Sequence, residues 1–314
     1  MSTSWLASAA PDAAIEIAPE GVAVAVLGSR GADAVVQAWG AAPLAPGAIV
    51  PSLASSNIAD RAAVAEALRG ACDRAGHRPR RAALIVPDLA ARVSLVRFDH
   101  VPARREDLDQ LIRWQVKKAF PFPVDEACVT YSPGARGEFL VVAARRDVVR
   151  EYEGICDEAG IHAGIVDLST LSVVNLYMAS GAVPAGDWLV VHIRPGYTSI
   201  AIVRGEDVIF FRTRPDDDTE PLSDVVHQTA MYYQDRLDGR GFARVFAGGF
   251  SRTPSGVELA IRELAARLEH PVDALDPTQA AALARGVAAA PDERAALAPL
   301  VGMLLRTRRE AVSA

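Results

Sequence analysis

Apolar side chains alternate with a period of two near the start of the chain. Ile15, Ile17, Val22, Val24 and Val26 mark strands within residues 13–40, and Pro19-Glu20-Gly21 supplies a tight turn between them. The period then lengthens. Ile58, Ala62, Ala65, Leu68 and Cys72 share one face, which predicts a helix over residues 58–75. Residues 81–87 read as a short apolar strand, and residues 92–98 alternate as another. Residues 105–120 make the clearest helix of the first half, with Leu108, Leu111, Ile112, Val116 and Ala119 on one face. Phe120-Pro121-Phe122-Pro123 ends it, because proline cannot extend the hydrogen-bond ladder. A strand at 139–144, a helix at 148–159 closed by Gly160 and a helix at 169–179 follow. Residues 181–186 read as a connection between two lobes.

The second half opens with three strands in a meander, at 188–193, 197–203 and 207–212. A long helix is expected over 221–237, then a strand at 244–247 meeting Gly248-Gly249, a helix at 257–268 and a short strand at 271–275. Two alanine-rich helices and a polar tail finish the chain. The two halves echo each other. Ile15-Glu16-Ile17 matches Val191-His192-Ile193, Pro19 matches Pro195, and Val22, Val24 and Val26 match Thr198, Ile200 and Ile202, all at one constant offset. Period-two strands are common enough to give such a match by chance. If it is a duplication, it implies two similar lobes, each offering a strand-turn-strand loop to a cleft between them. Such turns form backbone nests that suit phosphate, and a cleft between domains is the usual place for a small ligand.

The length of 314 residues suits two lobes of roughly 150 residues each. A hydrophobic fraction of 50% supplies a sizeable core, and 23% charged residues is ordinary for a globular protein. The net charge of −6 argues against a nucleic-acid binder, which needs a basic face. Cys72, Cys128 and Cys156 are far apart and form no CxxC pair, so single thiols in a reducing cytoplasm are expected rather than a zinc site or a disulfide framework. The histidines show no metal-ligand spacing. Residues 1–10 lack the basic and apolar regions of a signal peptide, and no window approaches the ~18 apolar residues of a membrane helix. Work at a membrane would then require another protein to hold this one there. Asp216-Asp217-Asp218 reads as a solvated loop, and Arg306, Arg308 and Arg309 as a basic helix end that complements the helix dipole.

Val86-Pro87-Asp88, Arg92-Val93 and Phe98-Asp99-His100-Val101-Pro102 resemble the opening of the extra subdomain in PilM proteins. Leu111-Ile112-Arg113-Trp114-Gln115-Val116-Lys117-Lys118-Ala119-Phe120-Pro121-Phe122-Pro123-Val124-Asp125-Glu126 resembles the most recognisable segment of that family, a helix running into a PFP-type turn. Tyr131, Tyr232-Tyr233, Gly248-Gly249 and Gly302-Met303-Leu304-Leu305-Arg306 also fit, so the resemblance runs from about residue 15 to 306. It implies an α/β fold of the actin-like, ribonuclease H-like duplicated kind, similar to FtsA, with two lobes and an inserted small α/β subdomain. Residues 12–82 and 163–186 would form the first lobe, 83–162 the inserted subdomain with a partner groove, and 187–306 the second lobe, with 214–243 as its outer part. The resemblance further implies a cytoplasmic scaffold of the type IV pilus assembly platform, serving bacterial motility. It would bind the N-terminal cytoplasmic tail of a PilN-like membrane protein and lie at the inner membrane through that partner. Pilus motor and platform proteins are further expected partners, a homo-oligomeric ring is expected too, and many members bind ATP with Mg²⁺.

The family's first phosphate loop aligns with Glu16-Ile17-Ala18-Pro19-Glu20-Gly21. Glu16 stands at an aspartate position and Ala18 at a glycine position, and Glu20 adds a second negative charge. A phosphate cradle needs glycines for close backbone approach and no anions nearby. The second loop is His192-Ile193-Arg194-Pro195-Gly196-Tyr197-Thr198. Gly196 and Thr198 keep the family pattern. His192 replaces an aspartate and is a poor Mg²⁺ ligand, while Arg194 stands in a glycine position and either clamps a phosphate or fills the pocket as a surrogate cation. Gly248-Gly249-Phe250-Ser251 occupies the adenosine loop, as adenine contact or simply as a strand-to-helix turn. Together these residues predict that Mg-ATP hydrolysis is weak or lost, and they leave open whether ATP or ADP still binds.

For the partner groove, Trp114 lies off the main apolar face of its helix, beside Leu111 and Lys118, and Phe120-Pro121-Phe122-Pro123 follows. Aromatics next to cations outside a core stripe suit a peptide patch; the competing reading has them closing the subdomain core. Three other functions remain: a sugar or acetate kinase of the same superfold, which would need intact phosphate loops; the cytoplasmic component of a type II secretion platform; and an FtsA-like polymer.

Overall fold

A computed structural model describes residues 11–31, 33–179, 185–216, 220–250, 256–289 and 291–313. Residues 181–184 of the connection expected at 181–186, Asp217-Asp218, Ser251 and the Arg309 side chain lie outside the described residues.

The first half begins with β1 (Ala13–Ala18), β2 (Gly21–Arg30) and β3 (Asp33–Pro43), a meander that leads through α1 (Arg61–Ala75) to β4 (Arg81–Val86). Asp60 caps α1 by accepting from the Ala63 N–H at 2.9 Å, and Gly76 closes it with φ +61°. The expected start at Ile58 is therefore three residues early, and Ile58 instead bridges Ile49. The chain then leaves this sheet for β5 (Ala91–Arg97), α2 (Arg105–Val116), β6 (Ala127–Pro133), β7 (Glu138–Arg145) and α3 (Arg146–Glu158), and returns in β8 (His162–Leu168) and α4 (Ser169–Ala179). The second half repeats the opening: β9 (Asp187–Arg194), β10 (Tyr197–Arg204) and β11 (Asp207–Pro215), then α5 (Leu222–Arg236), β12 (Arg244–Gly249), α6 (Gly256–Leu268), β13 (Asp273–Ala274), β14 (Ala282–Leu283) and α7 (Pro291–Ser313).

The sheets confirm the internal echo. One has the order β14-β3-β2-β1-β4-β8 and the other β11-β10-β9-β12-β13. Each first strand lies between its antiparallel hairpin partner and a parallel strand reached over a helix. Equivalent residues even share register, with Glu16 opposite Ala23 and His192 opposite Ser199. This is the actin-like duplicated α/β architecture. A third sheet, β5-β7-β6, with α2 on it, forms a separate small subdomain with its own core of Ile112, Val116, Phe139 and Val141.

Strand alternation builds five layers. Ala13, Ile15 and Ile17 of β1 face α1 and α3, and Leu189, Val191 and Ile200 face α5 and α6. The opposite faces, Ala14, Ala83 and Ile85 from one sheet and Trp188, Val190 and Phe246 from the other, meet across α4 and α7. That middle layer also takes in the end of the chain. Within 187–306, β14 pairs with β3, and α7 packs on α4 and β1, so the end of the chain returns to the first sheet. In place of two terminal helices there is one, with Pro299 inside it. No helix among the described residues is long and apolar enough to cross a membrane.

Candidate functional site

The middle layer turns polar where its strands end. On β9 the face that begins with Trp188 and Val190 continues with His192 and Arg194. On β1 it continues from Ala14 to Glu16, and on β10 from Ala201 to Ser199. The two hairpin tips meet there. Ala18 pairs with Gly21 around Pro19-Glu20, and Arg194 pairs with Tyr197 around Pro195-Gly196, with Gly196 at φ +90° as a Pro-Gly turn requires.

Arg194 crosses between the tips. Its guanidinium lies 3.0 Å from Glu16 and also pairs with Glu20, and its side chain is only 2% exposed. Glu16 also accepts from the Ser169 hydroxyl at 2.6 Å. Burial raises the Glu16 carboxyl above the usual carboxylate range, and Arg194 opposes that shift. Burial disfavours the Arg194 charge, but Glu16 and Glu20 outweigh it and hold the guanidinium protonated.

Asp88, from the turn after β4, is fully buried beside this pair. It accepts from the Thr170 N–H at 3.0 Å, the Ser199 hydroxyl at 2.7 Å and the Thr170 hydroxyl. The first turn of α4 is thereby capped by an acid from a distant segment. The Thr170 proton goes to Asp88, so Thr170 accepts from His192 Nδ1 at 2.9 Å, which fixes the tautomer and leaves Nε2 bare. Burial, reinforced by Arg194, pushes His192 well below its usual pKa, so the ring is neutral.

The structure thus brings together Glu16, Ala18, His192, Arg194, Gly196, Tyr197 and Thr198. Gly248 and Gly249 join them as register partners of His192 and Ile193. Gly249 has φ +130°, and a Cβ there would fall 2.0 Å from the Ile193 carbonyl, so only glycine fits. Phe250, 40% exposed, borders a cleft of about 530 Å³ with Glu20, Leu44, Ile49, Val50 and Pro195. Sequence reasoning missed Asp88, Ser169, Thr170 and Ser199 as members of this cluster. Their local signal was slight, a polar residue at the edge of an apolar run.

These residues do not suit a magnesium-bound triphosphate. Pro19 and Pro195 remove two turn N–H groups, the Gly196 N–H already donates to Asp216 at 3.1 Å, and two carboxylates face the space. Among the described residues, no group of three or more His, Cys, Asp or Glu is arranged to hold a metal.

The small subdomain carries a second feature. β6 is an edge strand, paired only with β7 among the described strands. A groove of about 300 Å³ runs along one side of it, walled by the subdomain, by α4 and by the β10–β11 turn of the second sheet. A cavity of about 430 Å³ lies on the α2 side, and Thr130 and Tyr131 border both. The expected partner residues sit elsewhere. Trp114 is 61% exposed with the Lys117 ammonium 5.5 Å from its ring centre. Leu111 is half-buried, Lys118, Pro121 and Pro123 are exposed, Phe120 packs on the subdomain core, and the Phe122 ring stacks on it at 5.5 Å. None of these seven residues lines the two β6 cavities.

The family model for the type IV pilus assembly protein PilM matches residues 14–217. Among solved structures, the chain is similar to one of the PilM–PilN type IV pilus biogenesis complex, with a TM-score of 0.78 at 16% identity over 94% of this chain and 98% of that one. It is also similar to the ethanolamine utilization protein EutJ from Carboxydothermus hydrogenoformans, at 0.50 and 12% identity over 94% and 89%. A Bacteroides thetaiotaomicron protein of actin-like ATPase fold and unknown function gives 0.49 at 8% identity over 86% and 91%. Among curated proteins, none matches this sequence. By its fold and by a family match over most of its length, the chain belongs to the PilM family of type IV pilus assembly proteins.

Proposed function

We propose that this chain is a scaffold of the type IV pilus assembly platform that binds the extended N-terminal tail of a PilN-like membrane protein, and that its lobes are joined by Arg194 in place of a nucleotide. The observation that carries the reading is the open edge of β6 with a cavity on either side. A strand added there gains main-chain hydrogen bonds, and its alternate side chains enter the two cavities in turn. The similar solved complex contains PilN, which supports the choice of partner. Held by that partner, the protein lies on the cytoplasmic face of the inner membrane, where motor and platform proteins and further copies of the chain can meet it.

The nucleotide half of the reading rests on the Arg194 ion pairs. An entering triphosphate would have to displace a guanidinium from two carboxylates and then face both of them. ATP or ADP binding is accordingly weak, and phosphate release is negligible. Robust phosphate release by the purified protein, abolished in Thr198→Ala, contradicts this.

A second peptide surface, Trp114 with Phe120 and Phe122, is favoured by the exposure of Trp114. Titration with the tail peptide separates the two. Thr130→Trp, which fills the space beside β6, removes binding if the edge is the site. Trp114→Ala with Phe122→Ala removes it if the aromatic patch is the site.

A further inference from the structure

The groove beside β6 has a charge pattern that specifies its occupant. Its lining includes the apolar Leu140, Val142, Leu171 and Val174, and among the described residues it carries the carboxylates of Glu138, Asp167, Glu206 and Asp207 against the guanidinium of Arg306. Arg306 is already bridged to Asp167. The acids come from three separate parts of the fold: β7, β8 and the β10–β11 hairpin end. That end is fixed against the subdomain, since Asp207 accepts from the Ala135 N–H at 3.1 Å. The second lobe therefore supplies an acidic wall to a groove whose open strand edge belongs to the small subdomain.

We infer that this groove selects a cationic strand, a segment whose side chains on one face carry lysine or arginine among apolar residues. The inference rests on the peptide reading above and adds the chemistry of the peptide. On the α2 side Pro102, Leu108 and Val129 line the cavity together with one charge of each sign, Arg105 and Asp109, so the other face of the strand meets no net charge and is apolar. The cytoplasmic flank of a membrane span is where lysine and arginine accumulate. The charge of the groove thus complements a tail emerging from the inner membrane, and it selects against acidic segments.

The test uses the full chain and two labelled peptides of about twelve residues. Both alternate leucine and valine with a second residue, lysine in one and glutamate in the other. Fluorescence anisotropy at moderate salt is expected to show the lysine peptide binding at least roughly tenfold tighter than the glutamate peptide. The variant Glu138→Gln/Glu206→Gln/Asp207→Asn keeps an acceptor for the Ala135 N–H, and with an unchanged thermal midpoint it is expected to cut the preference below about threefold. Two results overturn the inference but leave the groove standing: equal binding of both peptides that Thr130→Trp abolishes, or a lysine preference that survives in the triple variant. If neither peptide binds and the native tail binds only through Trp114 and Phe122, the strand-edge reading itself falls, and this inference with it.

Discussion

Arg194 sits between the buried Glu16 and the half-buried Glu20, so each partner is stable only while the others are present. Arg194→Met leaves Glu16 and Glu20 facing each other without a cation and is expected to cost about 3–5 kcal/mol, measured by denaturant unfolding. Adding Glu16→Gln and Glu20→Gln removes the stranded charges and is expected to recover most of that loss; failure to recover would mean that Arg194 acts through packing alone. His192 makes a separate prediction. Its folded pKa lies below the ordinary 6.5, so below that pH the unfolded chain takes up a proton that the folded chain refuses. Stability is lost as pH falls, by up to about 1.4 kcal/mol per pH unit below 6.5. The raised Glu16 and Asp88 groups act in the opposite sense, since their cost grows as pH rises from the carboxylate range, so the useful quantity is a difference. His192→Asn keeps a donor toward Thr170 and is expected to abolish the histidine part of the slope between pH 7 and 5.5. An unchanged slope would show that His192 does not carry it. At this scale the sequence was informative where a polar residue broke an apolar strand at matching places in the two halves, as at Glu16, His192 and Arg194. It placed Asp88 only in the opening of the subdomain and did not reveal its role, because its partners Thr170 and Ser199 lie far away in the chain.

Elements were legible where their hydrophobic period was strong. The paired hairpins, α1, α2, α5 and α6 all carry one clear apolar face or alternating strand. β6 and β8 escaped notice because both are only partly buried, so their polar and small residues blur the alternation. Two alanine-rich helices were expected at the end of the chain and there is one, α7, which continues through Pro299 with Leu297, Ala298, Leu300, Val301, Met303 and Leu304 all buried in the middle layer. Tertiary packing outweighs one lost hydrogen bond there. The crossing of α7 with α4 depends on Gly302, where a Cβ would fall 1.9 Å from the Ser172 carbonyl. Gly302→Ala is expected to destabilise by about 1–3 kcal/mol, seen as a lower thermal midpoint, because the helices must move apart. No change in midpoint would show that the contact gives way freely.

At the scale of the whole molecule, two distant features share one fold. The Arg194 ion pairs join the hairpin tips of the two sheets, and the second sheet also reaches the small subdomain through Asp207. The actin-like duplication was readable from the repeated hairpins; the return of α7 and β14 to the first sheet was not, since nothing local in an alanine-rich segment names the layer it enters. Under the proposed function, this PilM-family scaffold binds a partner tail at β6 while its lobes are held by an internal cation. Calorimetric titration of the full chain with the PilN-like tail peptide, with and without Mg-ATP, tests it most directly. Peptide binding that Thr130→Trp removes, no measurable nucleotide heat and the same peptide affinity in both conditions are expected. Nucleotide binding that shifts the peptide affinity would contradict the proposed function.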